Sequence, residues 1–241
     1  MADACTKIIF ELVPMPWASA YVVGTQLFPI VVTLTGETDR VGIRFRPGMA
    51  GFFLGCSLDE VGGRMAPLFA LGVNDGELIR ERLSSAELSE QRAAVLDEWL
   101  LSRWAKLQPD TRKVEETLRL SKAALSGCSP PELARLMGWS ERRLQRVCRE
   151  RFGASAANLH RFSRFDRLQQ RIIGPPLEFA ALAAELGFSD QAHMAREFRH
   201  FSGSTISSFL RERATVGNLQ DAADWLPVLR QAEESGKWAE D

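Results

Sequence analysis

Arg142, Gln145, Arg146 and Arg149 recur at i, i+3, i+4 and i+7 inside GWSERRLQRVCRERFG, residues 138–153. On a helix that spacing puts all four side chains on one face. Arginine and glutamine are the residue types that make paired hydrogen bonds with guanine and adenine edges in a major groove. Five arginines fall in these sixteen residues, although the 241-residue chain carries a formal net charge of −1. Such a face is either an ordinary solvated helix surface or one that meets a polyanion. One helix alone favours the first.

The elements that would position this face are legible around it. Leu144, Val147, Cys148 and Phe152 share the opposite, inward side. Upstream, Ser129-Pro130-Pro131-Glu132 has the form of a capping box, with proline where a helix's first N–H has no partner to lose. That helix runs through Leu133, Leu136 and Met137. Gly138 can stop it in a left-handed backbone, Trp139 can plug the corner, and Ser140 can cap the next helix. A short glycine-containing turn between two helices is the helix-turn-helix pattern.

The pattern occurs twice. LARLMGWSERRLQRVCRERFGAS pairs with LAAELGFSDQAHMAREFRHFSGS, so that Gly187, Phe188 and Ser189 align with Gly138, Trp139 and Ser140 and are expected to take the same three jobs of stop, plug and cap. After a one-residue insertion Leu144 aligns with Met194, Arg146 with Arg196, Cys148 with Phe198 and Gly153 with Gly203. Two copies make a duplicated module, not a solenoid. In the second copy Met194, Phe198 and Phe201 point inward, while Ala192, Ala195, Arg196 and Arg199 point outward with Gln191 and His193 alongside. Two such faces in register shift the balance towards DNA. The stretch between them, SAANLHRFSRFDRLQQRII at 155–173, reads as a helix about 28 Å long at about 1.5 Å per residue. Turns of a major groove lie roughly 34 Å apart, so a connector of that size suits two successive grooves. Arg161, Arg164 and Arg167 on it are expected either to reach phosphate or to form a solvated stripe.

Residues 127–213 resemble the DNA-binding domain of the AraC/XylS family of bacterial transcription regulators. The most specific part is AAELGFSDQAHMAREFRHFSGST, close to that family's GFxxxxxFxRxFKxxxGxxP signature. Cys148 stands where the family usually has phenylalanine, Met194 where it has an aromatic, and Ala156 and Ile206 where a proline is common. The resemblance implies two helix-turn-helix units joined by a long helix. It implies base-reading positions at Arg142, Gln145 and Arg146, and at Gln191, Ala192, His193 and Arg196. Ala192 and Ala195 cannot hydrogen-bond a base, so the second unit is expected to read shape, a thymine methyl or phosphate.

Charge is segregated along the chain. Residues 1–109 carry a net charge of −3, residues 110–213 a net of +6, and residues 214–241 a net of −4. The basic block coincides with the duplicated module, which points to a polyanionic partner. Catalytic readings find little support. The three histidines (His160, His193, His200) have no carboxylate or cysteine at metal or triad spacing. VGG at 61–63 lacks the context of a phosphate-binding loop. A DNA-repair methyltransferase would need a zinc-cysteine cluster near the start, where Cys5 stands alone. Cys5, Cys56, Cys128 and Cys148 are far apart and read as reduced structural thiols of a cytoplasmic protein. No apolar run reaches the roughly 18 residues of a membrane span, and the start does not read as a signal peptide. No enzyme activity, cofactor or metal is expected.

The first half is strand-like up to residue 46, in KIIFELV, AYVVGTQL, PIVVTLT and RVGIRFRP. Helical periods follow at 48–62 and 75–83, and a longer one over 85–107 carries Trp99 and Trp104. Gln108-Pro109-Asp110 breaks it. Arg44 and Arg46 beside Pro47-Gly48 offer either an anion site or a turn with locally paired arginines. Trp17 and Tyr21 are read as pocket-lining or core. VGIRFRPGMAGFFLG resembles an N-terminal domain that precedes this DNA-binding module in one group of these regulators. The chain starts at what reads as an internal strand of it, so its opening strands are either missing or upstream of this start.

The expectation is an α+β N-terminal regulatory or dimerising domain at 1–109, a small sheet plus helices. An all-α double helix-turn-helix domain follows at 110–213, then an acidic tail at 214–241. The function expected is sequence-specific transcription regulation. The partners expected are double-stranded DNA and RNA polymerase, with room for a small-molecule effector and a homodimer mate. A ligand-binding or protein-interaction protein with a vestigial DNA-binding half is the alternative.

Overall fold

The computed structural model describes residues 2–13, 18–29, 38–172 and 178–215. Strands β1 (Lys7–Glu11), β2 (Ala20–Val23), β3 (Arg40–Arg44) and β4 (Met65–Pro67) form one antiparallel sheet in the order β3-β1-β2-β4. Ile8 and Phe10 are buried while the alternating Lys7 and Ile9 are half-exposed, the period of two that a one-sided sheet requires. Most of PIVVTLT, Trp17 and residues 216–241 of the acidic tail lie outside the described residues. Strand β4 has three residues and too little pattern to announce itself.

Against the sheet pack helices α1 (Ala50–Leu54), α2 (Gly76–Ser84) and α3 (Ser89–Leu107). The helical reading of 48–62 is shortened: Gly55 turns left-handed at φ 76°, and a three-residue 3-10 turn over Leu58–Glu60 follows. Trp99 sits in the core with its ring edge-on to Phe10 and Phe53, at 5.6 and 5.0 Å between centroids. Its Nε1–H donates to Asp75 at 2.8 Å, which satisfies the indole's polar atom. Trp104 is exposed, and so is Leu101 one turn before it. Tyr21 is also core, its hydroxyl donating to buried Glu11 at 2.7 Å.

The rest of the described chain is helical: α4 (Thr111–Leu125), α5 (Pro130–Met137), α6 (Glu141–Phe152), α7 (Ala156–Arg171), α8 (Phe179–Glu185), α9 (Gln191–Ser202) and α10 (Ile206–Thr215). Between α3 and α4, Gln108 takes a left-handed φ of 43° ahead of Pro109, and Asp110 accepts from the Arg112 amide at 2.9 Å. The architecture is a small sheet with helices followed by an all-α region. By contact the described residues fall into two compact units. One holds 3–27 and 38–159. The other holds Ala2, 28–29 and everything described from His160 on.

Candidate nucleic-acid interface

The first helix-turn-helix forms as its local chemistry dictates. The Ser129 amide and hydroxyl both donate to the Glu132 carboxylate, at 2.7 and 2.6 Å, which fixes the start of α5. Gly138 ends it at φ 67°, Trp139 is buried in the corner, and the Ser140 hydroxyl accepts from the Arg143 amide at 3.3 Å. Leu144, Val147, Cys148 and Phe152 are all buried on α6. Burial pushes the Cys148 thiol up to about 12, so it acts as a small apolar filler where an aromatic is usual.

The outer side of α6 separates its five arginines into two jobs. Arg142, Arg146 and Arg149 are exposed, with Gln145 half-exposed between them. Arg146 reaches only Glu150 on its own helix, at 3.4 Å. An exposed pair of that kind holds less than about 1 kcal/mol and leaves the guanidinium free to be recruited. Arg143 and Arg151 turn the other way. Arg143 lies over the Trp139 ring at 4.6 Å and reaches Glu116 of α4 at 3.4 Å. Arg151 donates to Thr117 Oγ1 at 2.7 Å and Glu116 at 2.8 Å. Glu116 and Thr117 thus anchor α6 to α4. The helical spacing puts Arg142, Arg146 and Arg149 on one face, but it gives no sign of the partners that hold Arg143 and Arg151.

In the second copy Gly187 has φ 77° and Phe188 is buried, as their first-copy counterparts are. The cap differs from the expectation. Asp190, not Ser189, caps α9, its carboxylate accepting from the His193 amide at 2.6 Å. The one-residue insertion is the reason, because only a cap at 190 leaves Met194 at the helix position that Leu144 holds in α6. Met194, Phe198 and Phe201 are buried. Ala192, Arg196 and Arg199 are exposed, with Gln191 and Ala195 half-exposed. His193 folds back on the turn: its Nδ1 lies 3.0 Å from the Ser189 hydroxyl and its ring stands edge-on to Phe188 at 5.5 Å.

Two arginines of α7, Arg161 and Arg164, are bonded within the protein and do not form the solvated stripe that is one of the two expectations for them. Arg161 grips buried Glu197 with Nη2 at 2.7 Å and Nε at 3.0 Å. Arg164 donates to the Gly187 carbonyl at 3.1 Å and lies over the Phe188 ring at 5.0 Å. Burial pushes the Glu197 carboxyl up, yet the hydrogen bonds and charge of Arg161, with Arg164, outweigh it and hold the carboxyl below its usual range. A glutamate between apolar Met194 and Phe198 was the available signal, since a buried charge requires a partner. Ala156 and Ile206, at positions where proline is common, are likewise buried.

In the first half the Arg44 guanidinium is bonded to Asp3, at 3.0 and 3.1 Å, so it joins a local ion pair. Among the described residues no cluster of histidine, cysteine and carboxylate has metal-binding geometry, and no helix is long and apolar enough to cross a membrane.

Residues 133–212 match a family model described as a helix-turn-helix domain, and residues 1–67 match one described as a domain of unknown function (DUF6597). No curated protein and no solved structure matches the chain significantly. The helix-turn-helix match spans both copies, including the two outward arginine faces. With the sheet-bearing domain ahead of it, the order of the two matched domains is the architecture of the AraC/XylS family of DNA-binding transcription regulators.

Proposed function

We propose that the chain regulates transcription by inserting α6 and α9 into successive major grooves of one duplex. In this reading Arg142, Gln145, Arg146 and Arg149 contact DNA from the first unit. Gln191, Ala192, His193, Arg196 and Arg199 contact it from the second. The observation that carries the reading is the pair of duplicated helices whose apolar sides are buried and whose arginines at 146 and 196 both stay exposed. The connector between the two units is helical over 16 residues, Ala156–Arg171. Because both units lie in one chain, a monomer can occupy one asymmetric site.

Residues 1–109 are the regulatory or dimerising part, 110–213 the DNA-binding part and 214–241 an acidic tail, in a cytoplasmic protein that works beside RNA polymerase. A cavity of about 260 Å³ lined by Ala20, Leu68, Phe69 and Val73 offers room for a small effector. Exposed Leu101 and Trp104 offer α3 to a second copy.

Arg146→Ala tests the assignment. It should cost about 1–3 kcal/mol of discrimination between the preferred duplex and one altered at the base it reads. Competition binding measures this, and an unchanged preference would remove Arg146 from the reading surface.

A further inference from the structure

The turn that ends α6 is built into the sheet-bearing domain. A Cβ at Gly62 would lie 2.4 Å from the Gly153 carbonyl oxygen, and one at Gly153 would lie 2.7 Å from the Leu58 carbonyl oxygen. Gly48 closes the same seam: a Cβ there would meet Thr117 Cγ2 at 2.7 Å and the Phe152 ring at 2.9 Å. Backbone therefore touches backbone at the end of the recognition helix, at distances no side chain permits.

The segment on the other side of that seam is itself immobilised. Leu58 and Val61 are buried in the core beneath the sheet. The Gly63 amide donates to the Thr25 carbonyl at 3.0 Å, and the Gly24 amide to the Arg64 carbonyl at 2.9 Å, which ties the turn to the end of β2. Meanwhile Arg142, Arg146 and Arg149 remain exposed, so the seam supports α6 without covering its reading face. The repeat partner of Gly153 is held comparably within its own unit. A Cβ at Gly203 would meet Pro29 Cγ at 2.9 Å, and the Ala2 amide donates to the Phe201 carbonyl at 2.8 Å.

We propose that the segment from Gly48 to Gly63 is a brace through which the sheet-bearing domain sets the DNA affinity of the first helix-turn-helix. This rests on the DNA-binding reading above. Anything that shifts the segment moves the end of α6, and the coupling is reciprocal: duplex bound by α6 stabilises the braced turn.

Two measurements on the full chain test the brace. Gly62 does not have a positive φ, so Gly62→Ala strains the seam and not the residue's own backbone. The variant should bind a selected duplex on the order of tenfold more weakly, with the loss concentrated in discrimination at the bases read by α6. In the wild-type chain, adding that duplex should slow hydrogen exchange at the Val61, Gly63 and Arg64 amides, which bond to Leu58, Thr25 and Val61 carbonyls. Wild-type affinity and base preference in Gly62→Ala, or exchange at those amides indifferent to duplex, would overturn the brace. If the variant fails to fold, the exchange measurement decides alone. A wild-type chain that prefers no duplex would sink the DNA reading and the brace with it.

Discussion

At the scale of single residues, the same side chain does opposite work depending on what lies beside it. Arg146 and Arg151 are five residues apart on α6, yet one is exposed and the other is bonded to Glu116 and Thr117. Arg164 belongs with Arg151. Losing its bond to the Gly187 carbonyl and its stacking on Phe188 leaves a helix-end acceptor unpartnered. Arg164→Ala should therefore lower stability by about 1–3 kcal/mol, read as a shifted urea midpoint. The salt dependence of DNA binding should keep its slope, whereas removal of a phosphate contact would reduce that slope by about 1. A lost slope at unchanged stability would return Arg164 to the DNA-contacting set.

At the scale of elements, α9 is docked on α7 through the ion pair of Glu197 with Arg161. A carboxylate held below its ordinary range in the folded state contributes stability above its unfolded pKa. It loses that contribution as pH falls through the folded value. Glu197→Gln should thus destabilise the protein near neutrality, and the gap to wild type should close as pH drops from about 7 to about 3. Urea titrations at a series of pH values check this. A gap of constant size would mean that the pair's charge contributes nothing.

The elements also mark what the sequence made legible. Caps and turns were readable because each depends on a few adjacent residues: Ser129 with Glu132, Gly138 at φ 67°, Ser140 under Arg143. Asp190 was misread because a repeat aligned at the glycine carried Ser189 into the cap, whereas the buried register of Met194 decides the matter. Periodicity told which face of α7 Arg164 occupies but not that the Gly187 turn lies against it. Partners distant in sequence, such as Arg103 on the Phe53 carbonyl at 2.9 Å, leave no local trace.

At the scale of the whole molecule, a chain with net charge near zero concentrates +6 in the block that carries both recognition helices. A basic block of this kind favours approach to a polyanion such as DNA. The central claim is that one chain reads two adjacent groove segments. Selection of the full chain against a pool of random duplexes, with sedimentation of the complex, tests it most directly. The account predicts enrichment of one asymmetric site with two preferred segments about one helical turn, roughly 10 base pairs, apart, bound by a single chain. Enrichment of no sequence, or of a palindrome that requires two chains, would contradict it.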